Sequence, residues 1–118
     1  MRDPHKLSAF QLADRLALAV YKHTVDMPPE ERFGLTMQIR RAAVSVPSNI
    51  VEGCSRRSES DYLRFLDMAL ASACEVEYQL TLAARLGFLR DDQHRPVADL
   101  AAQTAKVLNG LIRALRRD

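Results

Sequence analysis

The sequence has no tryptophan and only two cysteines, four glycines and five prolines. Two cysteines cannot frame a disulfide-rich secreted fold, and Cys54 and Cys74 lack the paired spacing of a zinc site. Both are expected to be reduced, half-buried thiols. The glycines are scattered, so no glycine-rich phosphate loop is present. No apolar run reaches the roughly 18 residues that a spanning helix requires. The opening "MRDPHKLSAF" carries charge and proline with no hydrophobic segment behind a cleavage site, so the expectation is a cytoplasmic protein without membrane association. An excess of one charge is also missing: 17 Lys and Arg stand against 15 Asp and Glu, a formal net charge of +2. That balance does not by itself imply a nucleic-acid partner, and such a role must rest on where the charges sit.

Catalytic arrangements are equally scarce. His5 lies near the N-terminus, His23 at an expected helix end and His94 in an expected turn. A metal site would want two ligands three or four apart on one helical face, and "HKLS", "YKHTVD" and "DDQHR" supply no matched pair elsewhere, so no metal site is expected. Cys54 stands beside Arg56 and Arg57, a setting that lowers a thiol pKa, yet no base is placed to use it and the thiol is expected to be inert. No catalytic residue, cofactor or metal is assigned, and the chain is not expected to be an enzyme.

What is present is helical material. The 118 residues, 47% hydrophobic and rich in Ala and Leu, suit one domain of amphipathic helices. Ser8 with Gln11 reads as a capping box opening a first helix to about Asp26, with Phe10, Leu12, Ala13, Leu16, Ala17 and Val20 as its apolar residues. "MPPEE" stops it and starts a second helix, about Pro29 to about Ser55, with prolines and acids suited to a first turn. Ser58 with Asp61 caps a third, striped by Tyr62, Leu66, Ala69, Ala73, Val76, Leu80 and Ala83 and ended by Gly87. Asp91 or Asp92 opens a fourth, with Val97, Leu100, Thr104, Val107, Leu111 and Leu115 toward the core. Short joints make neighbours antiparallel, so the expected fold is an all-α, up-down-up-down four-helix bundle.

Pro47 falls inside the second helix, where proline removes a backbone hydrogen bond and costs about 3 kcal/mol. Either the helix stops near Ser45 and another begins at Pro47, or one kinked helix continues. Apolar and small positions 43, 46, 50 and 53 stay in phase across the proline, which favours the single kinked helix, with Ser45 or Ser48 helping to satisfy the freed carbonyl. Gly53, on the same face, suits a close helix approach.

The arginines fall into two groups. Folding the second and third helices about Arg57 brings Arg41 level with about Ala73, with Glu75 and Glu77 within a turn. Folding the first and second about Pro28 brings Asp14 level with about Ala42. Arg40 and Arg41 are therefore expected in a partly buried ion-pair network with Asp14, Glu75 and Glu77 that fixes register. The up-down topology also gathers Arg2, Lys6, Arg56, Arg57, Arg64, Arg113, Arg116 and Arg117 at one end, against Asp3, Glu52, Glu59, Asp61, Asp67 and Asp118. The opposite end has Lys22, Arg32, Arg85, Arg90 and Arg95 against Asp26, Glu30, Glu31, Asp91, Asp92 and Asp99, a slight acidic excess. Arg56, Arg57, Arg64, Arg113, Arg116 and Arg117 are the candidate nucleic-acid-binding residues, since arginine offers planar, bidentate donors to phosphate. The first and fourth helices carry more than one apolar stripe, which asks for a second partner, and Leu12 and Leu16 are the first candidates for a surface between copies.

The segments "QIRRAAVSVPSNIVEG", "YLRFLDMALASACEVE" and "LAARLGFL" together resemble the bacterial four-helix bundle proteins encoded within intervening sequences of 23S ribosomal RNA genes. Those proteins are similar to the accessory variability proteins of diversity-generating retroelements. The resemblance covers nearly the whole chain and is most specific from Gln38-Ile39-Arg40-Arg41 to Pro47, Asn49, Ile50, Glu52 and Gly53; after that glycine, where family members often carry an aromatic, stands Cys54. It implies an up-down bundle, a homopentameric ring and no catalysis. For the retroelement relatives it implies binding to nucleic acid and to a reverse transcriptase through a basic surface. The expected function is thus a non-enzymatic accessory protein that binds structured RNA, or DNA, as a homo-oligomer. The alternative is a protein-interaction scaffold that forms the ring without binding nucleic acid.

Overall fold

The computed structural model describes residues 2–117. Asp118, counted above among the acids of the basic end, lies outside them. A single 3-10 turn, Pro4–Lys6, leads into α1 (Ser8–His23), and a second, Pro29–Glu31, precedes α2 (Leu35–Cys54). Then come α3 (Glu59–Arg85) and α4 (Asp91–Arg116), with no strand among the described residues. Each helix packs on two others, α1 and α3 both lying between α2 and α4, in a molecule 45 × 22 × 19 Å in extent. The all-α four-helix bundle is as expected.

The helix starts show where local signals ruled. Ser58 caps α3 by accepting from the Asp61 amide at 3.0 Å, and Gly87 leaves α3 with φ of +77°, the left-handed geometry that favours glycine. Ser8 is not a cap. Asp3 accepts from the His5 amide, the chain passes Leu7 in extended geometry, and Ser8 is already helical, while the Gln11 amide bonds back to the His5 carbonyl at 2.9 Å. α1 ends at His23, short of Asp26. α2 begins at Leu35, not Pro29: the proline supports only one 3-10 turn, helical geometry lapses at Gly34, and the Glu31 carboxylate caps the new start by accepting from the Leu35 amide.

One helix runs through Pro47 without interruption, so no second helix begins there. The serine hydroxyls do not take the expected role at the carbonyl that Pro47 frees. Ser45 Oγ spans to Ser72 Oγ of α3 at 2.8 Å and accepts from the Asn49 amide, while Ser48 is exposed.

All seven residues of the expected α3 stripe are buried. The α4 face is turned from its expected centre: Val97 and Thr104 are buried, but with Ala101, Leu108 and Ile112, leaving Leu100, Val107, Leu111 and Leu115 at the half-buried margin. Leu12 and Leu16 also differ from expectation, being 8% and 0% exposed, so they belong to the core and not to a surface between copies. The cause is common to both. A helix wedged between two neighbours buries a wide arc, and the packing, not the 3.6-residue period, decides its centre.

Gly53 lets α2 and α3 approach closely. A Cβ there would stand 2.9 Å from Phe65 Cβ and 3.3 Å from Tyr62 Cδ1, so α2 and α3 meet where one side chain is missing. Gly53→Ala should therefore destabilise by about 1–3 kcal/mol through overpacking. Gly110→Ala, where a Cβ meets nothing within 4 Å in the exposed part of α4, should stabilise by up to about 1 kcal/mol. Urea unfolding should show the two alanines moving in opposite directions. Pro47→Ala restores an amide facing the Ala43 carbonyl and should leave the bundle folded with a raised thermal midpoint; a lowered midpoint in a CD melt would show that the half-buried ring packs better than alanine.

Candidate nucleic-acid interface

The basic end is built around a tight joint. α2 stops where the Ser55 hydroxyl and amide turn back to the Glu52 carbonyl and the Arg56 amide to the Gly53 carbonyl. Ser58 immediately caps α3, leaving Arg56 and Arg57 between two fixed helix ends. The N-terminus closes over the joint: Arg2 Nη1 donates to the Arg56 carbonyl at 3.2 Å, and its guanidinium lies 3.8 Å from the centre of the Tyr62 ring. Arg2, Ser55, Arg56 and Arg57 line an open concavity of about 610 Å³.

The candidate arginines differ in how far they are engaged. Arg56 pairs with Glu52 at 2.9 Å and lies 4.8 Å from the Phe65 ring centre. Arg64 lies 4.6 Å from the same ring and 3.8 Å from the Asp61 carboxylate. Arg116 pairs with Asp67, tying the end of α4 to α3. Among the described residues Arg57, Arg113 and Arg117 form no ion pair within 4.0 Å, and all three are exposed. The structure thus brings Arg56, Arg57, Arg64 and Arg116 to one end, with Arg113 and Arg117 in the closing turns of α4. The carboxylate partners are themselves exposed, and such pairs contribute little, about 0–1 kcal/mol. A phosphate can replace them at small cost. Arg2 joins this group although it was not among the candidate residues; its signal was its place in the chain, at the terminus that the topology returns to this end.

The expected network around Arg40 and Arg41 does not form. No ion pair within 4.0 Å joins Arg40, Arg41, Asp14, Glu75 or Glu77 among the described residues. Arg40 Nε donates to Thr24 Oγ1 at 3.0 Å and its guanidinium sits 4.8 Å from the Tyr21 ring centre. Glu75 accepts from the Gln79 amide, and it shares a surface groove with Arg41 without pairing. A hydroxyl and an aromatic face took the place of the carboxylates because Asp14 lies further along the α1–α2 pair than the side chains level with Arg40.

Cys54 and Cys74 are not alike: Cys54 is buried and Cys74 exposed. Burial pushes the Cys54 thiol above its ordinary 9.0, opposed by the Arg2 charge, and burial likewise raises Tyr62 above 10.0. Among the described residues no group of three or more His, Cys, Asp or Glu side chains could hold a metal ion, and no helix is long and apolar enough to cross a membrane. Both raised groups are neutral in the folded state and ionise earlier in the unfolded chain. Their stabilisation is full below pH 9.0 and is lost as pH rises through the raised folded values. A thiol reagent at pH 8 should label Cys74 rapidly and Cys54 only on unfolding, and the thermal midpoint should decline above pH 9.0. Equal labelling rates would show that the N-terminal cover over the joint opens freely.

A model of the 23S rRNA-intervening sequence protein family matches residues 5–110. Among solved structures, the chain is similar to a protein of unknown function from the S23 ribosomal protein family of Bacteroides thetaiotaomicron, with a TM-score of 0.81 and 24% sequence identity over 89% of this chain and 95% of that one. Comparison with curated proteins gives no match.

Proposed function

The chain belongs to the 23S rRNA-intervening sequence protein family, and from that premise we propose that it is a non-enzymatic accessory protein that binds structured RNA as a homo-oligomeric ring. The observation that carries this reading is the group of Arg2, Arg56, Arg57, Arg64 and Arg116 at one end of the bundle, all but Arg57 held by aromatic faces or by carboxylates at the surface. Arginine bonds phosphate bidentately, and replacing an exposed carboxylate by a phosphate keeps the guanidinium satisfied throughout. The family's name, which refers to an intervening sequence of 23S rRNA, supports an RNA as the polyanion. Tyr62 and Phe65 are buried under the arginines, so they orient cations and are not available to stack on bases. Contacts at this end should accordingly read phosphate and shape with little sequence preference.

A ring multiplies a weak basic end around one axis, which is why oligomerisation belongs to the same proposal. Five copies follow from the family resemblance. With Leu12 and Leu16 in the core, exposed apolar side chains on Leu18, Val44, Val51, Met68 and Tyr78 are left as area for contact between copies. A reverse transcriptase is a candidate protein partner by the same resemblance.

The test changes Arg56 and Arg57 together to Gln and titrates a structured RNA at several salt concentrations, with light scattering run alongside. Binding should weaken and the slope of log K against log salt should become shallower by about one to two contacts, with the oligomer intact. Unchanged binding would place the RNA elsewhere. An absence of binding by the parent protein would leave a ring-forming scaffold, and a stable 13.3 kDa particle would reject the ring.

A further inference from the structure

A second arginine group lies at the opposite end of the bundle, between α1 and the start of α2. Two adjoining concavities of about 240 and 380 Å³ open there and share Arg32, Thr36 and Arg40 in their walls. No carboxylate lines either one. Tyr21, Phe33, Met37 and Arg41 complete the first, and Phe33 is 76% exposed, the most exposed large apolar side chain among the described residues. Among the described residues none of Arg32, Arg40 and Arg41 forms an ion pair within 4.0 Å.

The arrangement is ordered, not merely basic. The Thr24 hydroxyl donates to the Val20 carbonyl at 2.7 Å and so presents its lone pairs to Arg40 Nε, which fixes that guanidinium against Tyr21 and leaves its terminal nitrogens unused. The Arg32 guanidinium lies 5.2 Å from the Phe33 ring centre, the stacking distance of a cation on an aromatic face. Thr36, only 7% exposed, lines both concavities, and its buried hydroxyl has no partner. Guanidiniums gathered without counter-charge call for an anion. An inorganic anion or an acidic peptide would satisfy them but make no use of an exposed ring. A nucleotide uses both, through its phosphate and its flat base.

We propose that this cleft binds an unpaired nucleotide, its phosphate on Arg40 and Arg41 and its base stacked on Phe33. The site is separate from the arginines around Arg56 and does not depend on them. It gives the protein a preference for single-stranded segments that phosphate contacts alone do not supply.

The probe is a short oligoadenylate carrying one 2-aminopurine, with a duplex of equal length as comparison. The parent protein should quench the probe and prefer it to the duplex. Phe33→Ala should weaken single-strand binding about tenfold with the salt slope unchanged, as expected for loss of one stacked base, and Phe33→Trp should restore it. Arg41→Gln should weaken binding and reduce the salt slope by about one contact. The double change of Arg56 and Arg57 to Gln should leave oligoadenylate binding as it was, whatever it does to structured RNA. Equal affinity of parent and Phe33→Ala would overturn the proposal, as would equal binding of duplex and single strand or no binding at all. Dispersal of the oligomer by Phe33→Ala with probe binding intact would also overturn it and assign the face to a second copy of the chain.

Discussion

The close approach of α2 and α3 at Gly53 is the constraint on which the basic end depends. With no Cβ at Gly53, the backbone of α2 settles against Phe65 and Tyr62 at distances no other residue allows. Those two rings are nearly buried, and each carries cations on its outer side: Tyr62 carries Arg2, and Phe65 carries Arg56 and Arg64. The aromatic pair thus turns a packing contact into a mount for charge. Arg2 then fastens the N-terminus to the Arg56 carbonyl, and its charge opposes the burial that raises the Cys54 thiol pKa. Loosening the contact at Gly53 would free the joint, the terminal segment and the placement of three arginines together.

Much of the fold could be read from the residues because its determinants are local. The α3 stripe, the Ser58 cap and the Gly87 stop each depend on a few neighbouring positions, and each is found as expected. Continuity through Pro47 was legible from phase, since positions 43, 46, 50 and 53 keep one face across it, and all four are buried. What could not be read depends on neighbours distant in sequence. The centre of the α4 core face and the burial of Leu12 and Leu16 follow from having a helix on each side. The start of α2 is a local exception: it turned on Glu31 capping Leu35, a bond that competes with the proline signal at Pro29.

The candidate site was legible in position and not in chemistry. Counting helices was enough to bring Arg56, Arg57, Arg64 and Arg116 to one end. Which of them would be stacked, paired or unpaired required side-chain geometry. Arg40 shows this most plainly. It was expected level with Asp14, but it stands level with Thr24 and Tyr21, which reach its guanidinium where the acids assigned to it do not.

Formal charge by bundle end proved a poor guide for a related reason. The end with the acidic excess holds the cleft without carboxylates, because its acids are spent on one another's arginines and on helix starts. Asp91 pairs with Arg95 and Asp92 with Arg90, while Glu31 caps α2 and Asp26 accepts from Gln93. Four of this end's six acids are thus engaged elsewhere, and none of the six lines the cleft of Arg32, Arg40 and Arg41. At the basic end three acids likewise pair with arginines, Glu52 with Arg56, Asp61 with Arg64 and Asp67 with Arg116. A net charge near zero therefore coexists with two arginine-rich surfaces, one whose guanidiniums are paired with carboxylates and one whose lining holds no carboxylate. The first suits a polyanion that meets many copies at once; the second suits a single anionic group that brings an aromatic ring with it.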